Sequence, residues 1–144
     1  MNDISPEHPR AESLRYREKI ANGLEDGLVN PAGLAAHGRG EAFDYIIGEE
    51  TTEPTKRTIE PAAADLITAK NPVFSVNGNV AALVPEEIAK LDDSMSIKIE
   101  VNLFHKSKER EKKIAKHLVE NGVSKVYGTE EDYSSEVSGI KSNR

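Results

Sequence analysis

Near the start of the chain, apolar residues recur at helical spacing. Leu14, Ile20, Ala21, Leu24 and Leu28 form one stripe, which predicts a helix from about Pro9 to Leu28, stopped by Asn30-Pro31. A second, short helix is expected from Gly40 to Gly48, with Phe43, Ile46 and Ile47 as its apolar positions. The next stretch, Glu49 to Glu60, is polar, contains Pro54 and reads as an exposed connection. Pro61 suits the first turn of a helix that continues to Lys70, where Asn71-Pro72 stops it.

From there the pattern alternates. Val73 to Val76 is a short apolar run of strand character, followed by Asn77-Gly78-Asn79. Pro85 opens a helix with Glu86 and Glu87 in its first turn, where negative charge is favoured. Ile97 to Phe104 alternates with period two: Ile97, Ile99, Val101 and Leu103 share one face, and Lys98, Glu100, Asn102 and Phe104 the other. Ser107 is an N-cap for a helix to Asn121, and Gly122 takes the position after its end. Ser124 to Tyr127 is a last short strand. Strand, helix, strand, helix, strand predicts the α/β class, with a Rossmann-like parallel sheet and an N-terminal helical segment. Residues 1–128 are expected to form a single α/β domain, with N-terminal helices over 9–48 and strand–helix–strand units over 61–128. The polar stretch 129–144 is either a tail or the start of a second half, the sheet being incomplete at that end.

Composition narrows the function. A length of 144 residues suits one domain with a real core. No apolar run approaches membrane-spanning length, and the polar N-terminus shows no apolar signal region, so a cytoplasmic protein without a membrane partner is expected. The absence of cysteine excludes disulfides, thiolate metal sites and cysteine nucleophiles. A net charge of −6 argues against nucleic acid as main partner, although a few clustered arginines still suffice to bind a small anion.

Several residues carry candidate chemistry. At about 100° per residue, Arg17 falls between Leu24 and Leu28 inside the apolar stripe of the first helix, and Arg10 points nearly the same way. A guanidinium there needs an anion, either an internal carboxylate or a ligand phosphate. In His37-Gly38-Arg39-Gly40-Glu41, two glycines flank an arginine at an expected helix start. Such a segment offers backbone freedom, a planar fork of donors and unpaired N–H groups, a combination suited to phosphate. Glu41 and Asp44 could hold Arg39 or a Mg²⁺ ion. It is not the dinucleotide fingerprint, because Phe43 stands where the third glycine belongs.

Asn77 and Asn79 lie in a strand-to-helix turn, where ligands of parallel sheets sit, and would orient a substrate or serve only the turn. Glu100 and Asn102 point together near a strand's carboxyl end, a place for an acid that meets an amine or metal, or a solvated face. The six basic residues between Lys106 and Lys116 read as a solvated helix face. None of the four histidines has metal-ligand spacing, and His37 alone has a neighbourhood suggesting catalysis.

Four segments together resemble the archaeal 4-phosphopantoate–β-alanine ligase (phosphopantothenate synthetase) family: His8 to Ile20, Gly33 to Glu49, Asn71 to Ile88 and Lys98 to Arg110. The resemblance covers most of the chain from His8 to about Gly128. It implies a Rossmann-type homodimeric enzyme of coenzyme A biosynthesis that joins 4-phosphopantoate to β-alanine with ATP, assisted by Mg²⁺, releasing AMP and diphosphate. It further implies that Arg17 and Arg39, with Gly38 and Gly40 beside them, contact ATP, and that His37, Asn77 and Asn79 serve catalysis. Members of that family are longer, so the chain is expected to be an N-terminal portion. The alternative is a non-catalytic anion-binding or dimerising module.

Overall fold

The computed structural model describes residues 5–129 and the backbone of strands 134–137 and 140–143. Two helices come first, α1 (Ala11–Glu25) and α2 (Pro31–Ile47). Asn30-Pro31 does not close the first helix; it opens the second. The Asn30 side chain accepts from the Gly33 amide at 2.7 Å and Pro31 occupies the first turn, a strong local start signal. α1 has already ended at Glu25, after which the Leu28 and Val29 amides both fold back onto the Gly23 carbonyl. The expected start of the second helix at Gly40 is therefore corrected by about two and a half turns, although its end at Gly48 stands as the left-handed cap.

The polar connection is also corrected. Glu53–Thr68 is helix α3, with Pro54 in its first turn and Pro61 inside it rather than at its start. A proline in the first turn lacks only an amide that has no intrahelical partner, so Pro54 initiates the helix instead of breaking it. α3 has no buried residue, and Ile59 and Ile67 on it are exposed.

The rest follows the predicted alternation: β1 (Val73–Val76), α4 (Gly78–Leu83), α5 (Pro85–Ser94), β2 (Lys98–Val101), α6 (Lys108–Glu120) and β3 (Val126–Tyr127). The two later strands are shorter than the apolar runs that predicted them. All three pair in parallel in the order β1-β2-β3, with Phe74 opposite Ile99 and Val76 opposite Val101. Ser107 caps α6, and Gly122 follows it with φ +105°, as expected. Further on, β4 (Ser134–Val137) and β5 (Ile140–Asn143) pair antiparallel, so the expected tail contains a hairpin; the rest of it from 130 onward lies outside the described residues.

The core sits on one face of the parallel sheet. Val76, Ile99 and Val101 are buried against Ala81 of α4, Ile88 of α5, and Ile114 and Leu118 of α6, with Leu28 from the α1–α2 loop closing one side. The other face carries Ser75, Glu100 and Asn102. There the Ser75 hydroxyl donates to Glu100 at 2.8 Å and accepts from the Asn102 amide at 3.0 Å. α1 packs on α2 and α4, so the N-terminal helices stand beside the carboxyl end of β1. Among the described residues, no helix is long and apolar enough to cross a membrane.

Candidate functional site

Three chain segments meet beyond the carboxyl end of β1. The turn Asn77-Gly78-Asn79 leads straight into α4, with the Asn77 side chain accepting from the Val80 amide at 3.0 Å. Asn79 reaches back to α2, donating its side-chain amide to the Gly33 carbonyl at 2.9 Å. Gly78 lies so close to the α1–α2 loop that a Cβ there would overlap the Leu28 carbonyl oxygen, so only glycine fits. Asn77 thus starts α4 at the end of β1, and Asn79 ties α4 to α2. The expected strand-to-helix turn is what the structure shows, and both side chains have structural work in it.

Between α1 and α2 lies a cavity of about 200 Å³ lined by Ser13, Tyr16, His37, Gly40, Glu41, Asp44 and Glu49. His37 and Glu41 share a face of α2 at the i, i+4 spacing. His37 Nε2 is buried and has no hydrogen-bond partner among the described residues. Glu41 is 8% exposed, the buried charged residue at the centre of the site. Its Oε2 accepts from Arg17 Nη2 at 2.9 Å and its Oε1 from Arg10 Nη2 at 2.8 Å. Tyr45, one turn further on, donates its hydroxyl to Glu41 Oε1 and accepts from Arg10 Nε at 3.0 Å. The Tyr45 hydrogen bond, with help from both guanidinium groups, holds the Glu41 carboxyl below its ordinary value of 4.5, against burial, which pushes the other way. The same partners, Tyr45 first and then Glu41, raise Arg10.

This geometry resolves the question posed by Arg17. Its anion within the chain is an internal carboxylate, and its side chain remains 52% exposed, so the outer donors of the fork stay open to solvent. Arg39 is a different matter. Lying inside α2, about 200° around the helix from Glu41, it points away from the cavity, is exposed and has no partner among the described residues. Glu41 therefore holds Arg10 and Arg17, not Arg39. Gly38 and Gly40 are likewise interior helix residues with open space around them and ordinary helical φ, so the expected glycine-lined helix start does not exist. The structure brings His37 and Gly40 to one cavity, ties Arg17 to it through Glu41, places Asn77 and Asn79 at the adjoining junction, and leaves Arg39 on the outer face of α2 beside Phe43 and Ile46.

Residues 54–144 match the profile of the family described as phosphopantothenate/pantothenate synthetase. The chain belongs to that family. Among curated relatives, a 4-phosphopantoate–β-alanine ligase of Thermococcus onnurineus is 55% identical over 118 residues, covering 82% of this chain and 45% of that protein. One from Thermococcus kodakarensis is 53% identical over the same shares. One from Methanospirillum hungatei is 51% identical over 130 residues, 90% of this chain and 54% of that protein. The chain spans about half the length of the relatives it matches.

Two residues of the site escaped the sequence reading. Tyr45 carries an available signal, its i, i+4 spacing from Glu41. Arg110 lies in the basic stretch expected to be a solvated face, and the structure corrects this. It stands four and eight residues before Ile114 and Leu118, the buried positions of α6, and so belongs to the inward side of that helix. Its Nη2 donates to the Leu28 carbonyl at 3.3 Å.

Proposed function

We propose that the chain forms the N-terminal portion of a cytoplasmic ATP-dependent ligase that joins 4-phosphopantoate to β-alanine, releasing AMP and diphosphate. The observation that carries this reading is the identity of about half the aligned residues to proteins named 4-phosphopantoate–β-alanine ligase. The chemistry divides in two. The pantoate carboxylate oxygen attacks the α-phosphorus of ATP, and diphosphate leaves. The β-alanine amine then attacks the acyl carbon of the adenylate, AMP leaves with the bonding pair, and the amine gives up a proton.

Both steps gather negative charge, so the protein's contribution is chiefly electrostatic. Arg17, fixed on one side by Glu41 and open on the other, is prepared to meet nucleotide phosphate without the loss of side-chain freedom a loose arginine would suffer. Arg39, which points away from this cavity, would be the second cation for a nucleotide held where a second copy meets the outer face of α2, with Gly38 and Gly40 leaving room for close approach. His37 Nε2, unpartnered and facing the cavity, is placed to take the amine's proton. Asn77 Nδ2 and Asn79 Oδ1 are not spent on the junction's hydrogen bonds and orient the substrate. Among the described residues no group of three His, Asp or Glu side chains could hold a metal ion, so no step is assigned to Mg²⁺ held by this portion of the protein.

The exposed stripe of Arg39, Phe43 and Ile46 on α2, Phe43 at 60% and Ile46 at 80% exposure, supports a homodimer in which a second copy covers this face. Calorimetry on the purified chain tests the ligase reading. Saturable binding of ATP and of 4-phosphopantoate is expected, and the absence of both overturns it.

A further inference from the structure

Six of the seven arginines fall within the described residues, and five of them are exposed; Arg110 alone is partly buried. No carboxylate among the described residues pairs with it. Its one side-chain hydrogen bond runs from Nη2 to the Leu28 carbonyl, and its Nε is buried with no partner among the described residues. A guanidinium withdrawn from water without a counter-ion is unfavourable, and an unmet buried donor adds to the penalty. The position compounds this, since Arg110 stands in the first turn of α6, whose positive dipole end disfavours a cation. Packing alone gives no reason to keep such a charge here. Its Nη2 also lies 3.4 Å from where a Cβ of Gly78 would be, so the group abuts the turn between β1 and α4 at the carboxyl edge of the sheet.

We propose that Arg110 is an anion receptor at this edge and that, within the ligase reading on which this part rests, its anion is the phosphate monoester of 4-phosphopantoate. Arg17 and Arg39 on the helical layer serve the nucleotide, so the second polyanion needs its own cation. Arg110 supplies one on the sheet side of the same junction. Phosphate oxygens would accept from the orphaned Nε and from one Nη2 hydrogen, the side-on edge of the planar fork, while the second Nη2 hydrogen stays on the Leu28 carbonyl and holds the group in place.

The test uses two readouts on the whole chain. In the first, the Arg110 Nε–H resonance of ¹⁵N-labelled wild-type protein is followed during titration with inorganic phosphate, 4-phosphopantoate and pantoate. It should shift with the first two and stay put with pantoate. In the second, Arg110→Gln should weaken 4-phosphopantoate binding about tenfold or more, the value of a charge-assisted bond, and leave pantoate and ATP binding within about twofold. If Arg110→Gln fails to fold, the wild-type resonance decides alone. An Nε signal unmoved by any phosphate, or equal weakening of phosphopantoate and pantoate, overturns the proposal. Two outcomes separate it from the ligase reading. A shift with inorganic phosphate but no binding of 4-phosphopantoate leaves the receptor standing and removes the substrate. Binding of 4-phosphopantoate with the resonance unmoved does the reverse.

Discussion

Arg17 Nη2 and Glu41 Oε2 meet at 2.9 Å across the contact between α1 and α2, and the carboxylate is nearly buried while the guanidinium is half in water. This asymmetry makes Glu41 the organiser of the pair. It accepts from Arg17, Arg10 and Tyr45 at once, so its removal would release three side chains together.

Glu41→Gln should therefore lower stability at neutral pH by roughly 1–3 kcal/mol, the range for hydrogen bonds to charged groups. The pH dependence has a definite sign. Glu41 is held below its ordinary value of 4.5, so its contribution is complete above 4.5 and fades as pH falls through the depressed folded value. Urea denaturation of both proteins at pH 7 and about pH 3 checks this. The gap between them should narrow in acid, and a gap independent of pH would count against the assignment.

Gly78→Ala should be among the most damaging small substitutions in the chain. The added methyl would overlap the Leu28 carbonyl oxygen, which is backbone and cannot swing aside. A loss of about 1–3 kcal/mol or more is expected from overpacking. Gly38→Ala, at a helix position with nothing nearby, should instead be neutral or slightly stabilising. Midpoints of chemical denaturation for the two variants make the comparison.

Asn79→Ala should lower stability by about 1 kcal/mol, since it removes the bond to the Gly33 carbonyl that ties α4 to α2. If Asn79 also orients a substrate, ligand affinity should fall in the same variant by more than its loss of stability explains. Calorimetry beside thermal unfolding separates the two effects.

Arg39→Ala tests function without touching the fold. Its side chain is exposed and unpartnered among the described residues, so the melting temperature should hold within about a degree, as for surface changes generally. ATP binding should nonetheless weaken about tenfold, the value of one charged hydrogen bond. Unchanged ATP affinity would remove Arg39 from the nucleotide site.

Ile46→Asp probes the outer face of α2. Ile46 is 80% exposed, so the monomer should tolerate the change, whereas a dimer built on this face should dissociate. Sedimentation velocity of wild type and variant at matched concentration reads the outcome directly.

Local signals suffice for the elements that are complete within a turn or two: the strand–helix alternation from Val73 onward, the Ser107 cap, the Pro85 start and the buried alternation of β2. Caps, proline geometry and periodicity are local physics, and nothing distant has to agree with them. Asn30-Pro31 shows the limit of that locality, because the same dipeptide can stop one helix or start the next, and here the Asn30 cap on Gly33 decided for a start. That one choice turned Gly38 and Gly40 from a loop into helix interior and sent Arg39 outward. Which charged groups find partners depends on how distant segments pack. Arg17 finds Glu41 across 24 residues and Arg110 finds Leu28 across 82, and no local pattern encodes such pairings. The burial that makes a carboxylate or a guanidinium consequential exists only once those segments have packed together.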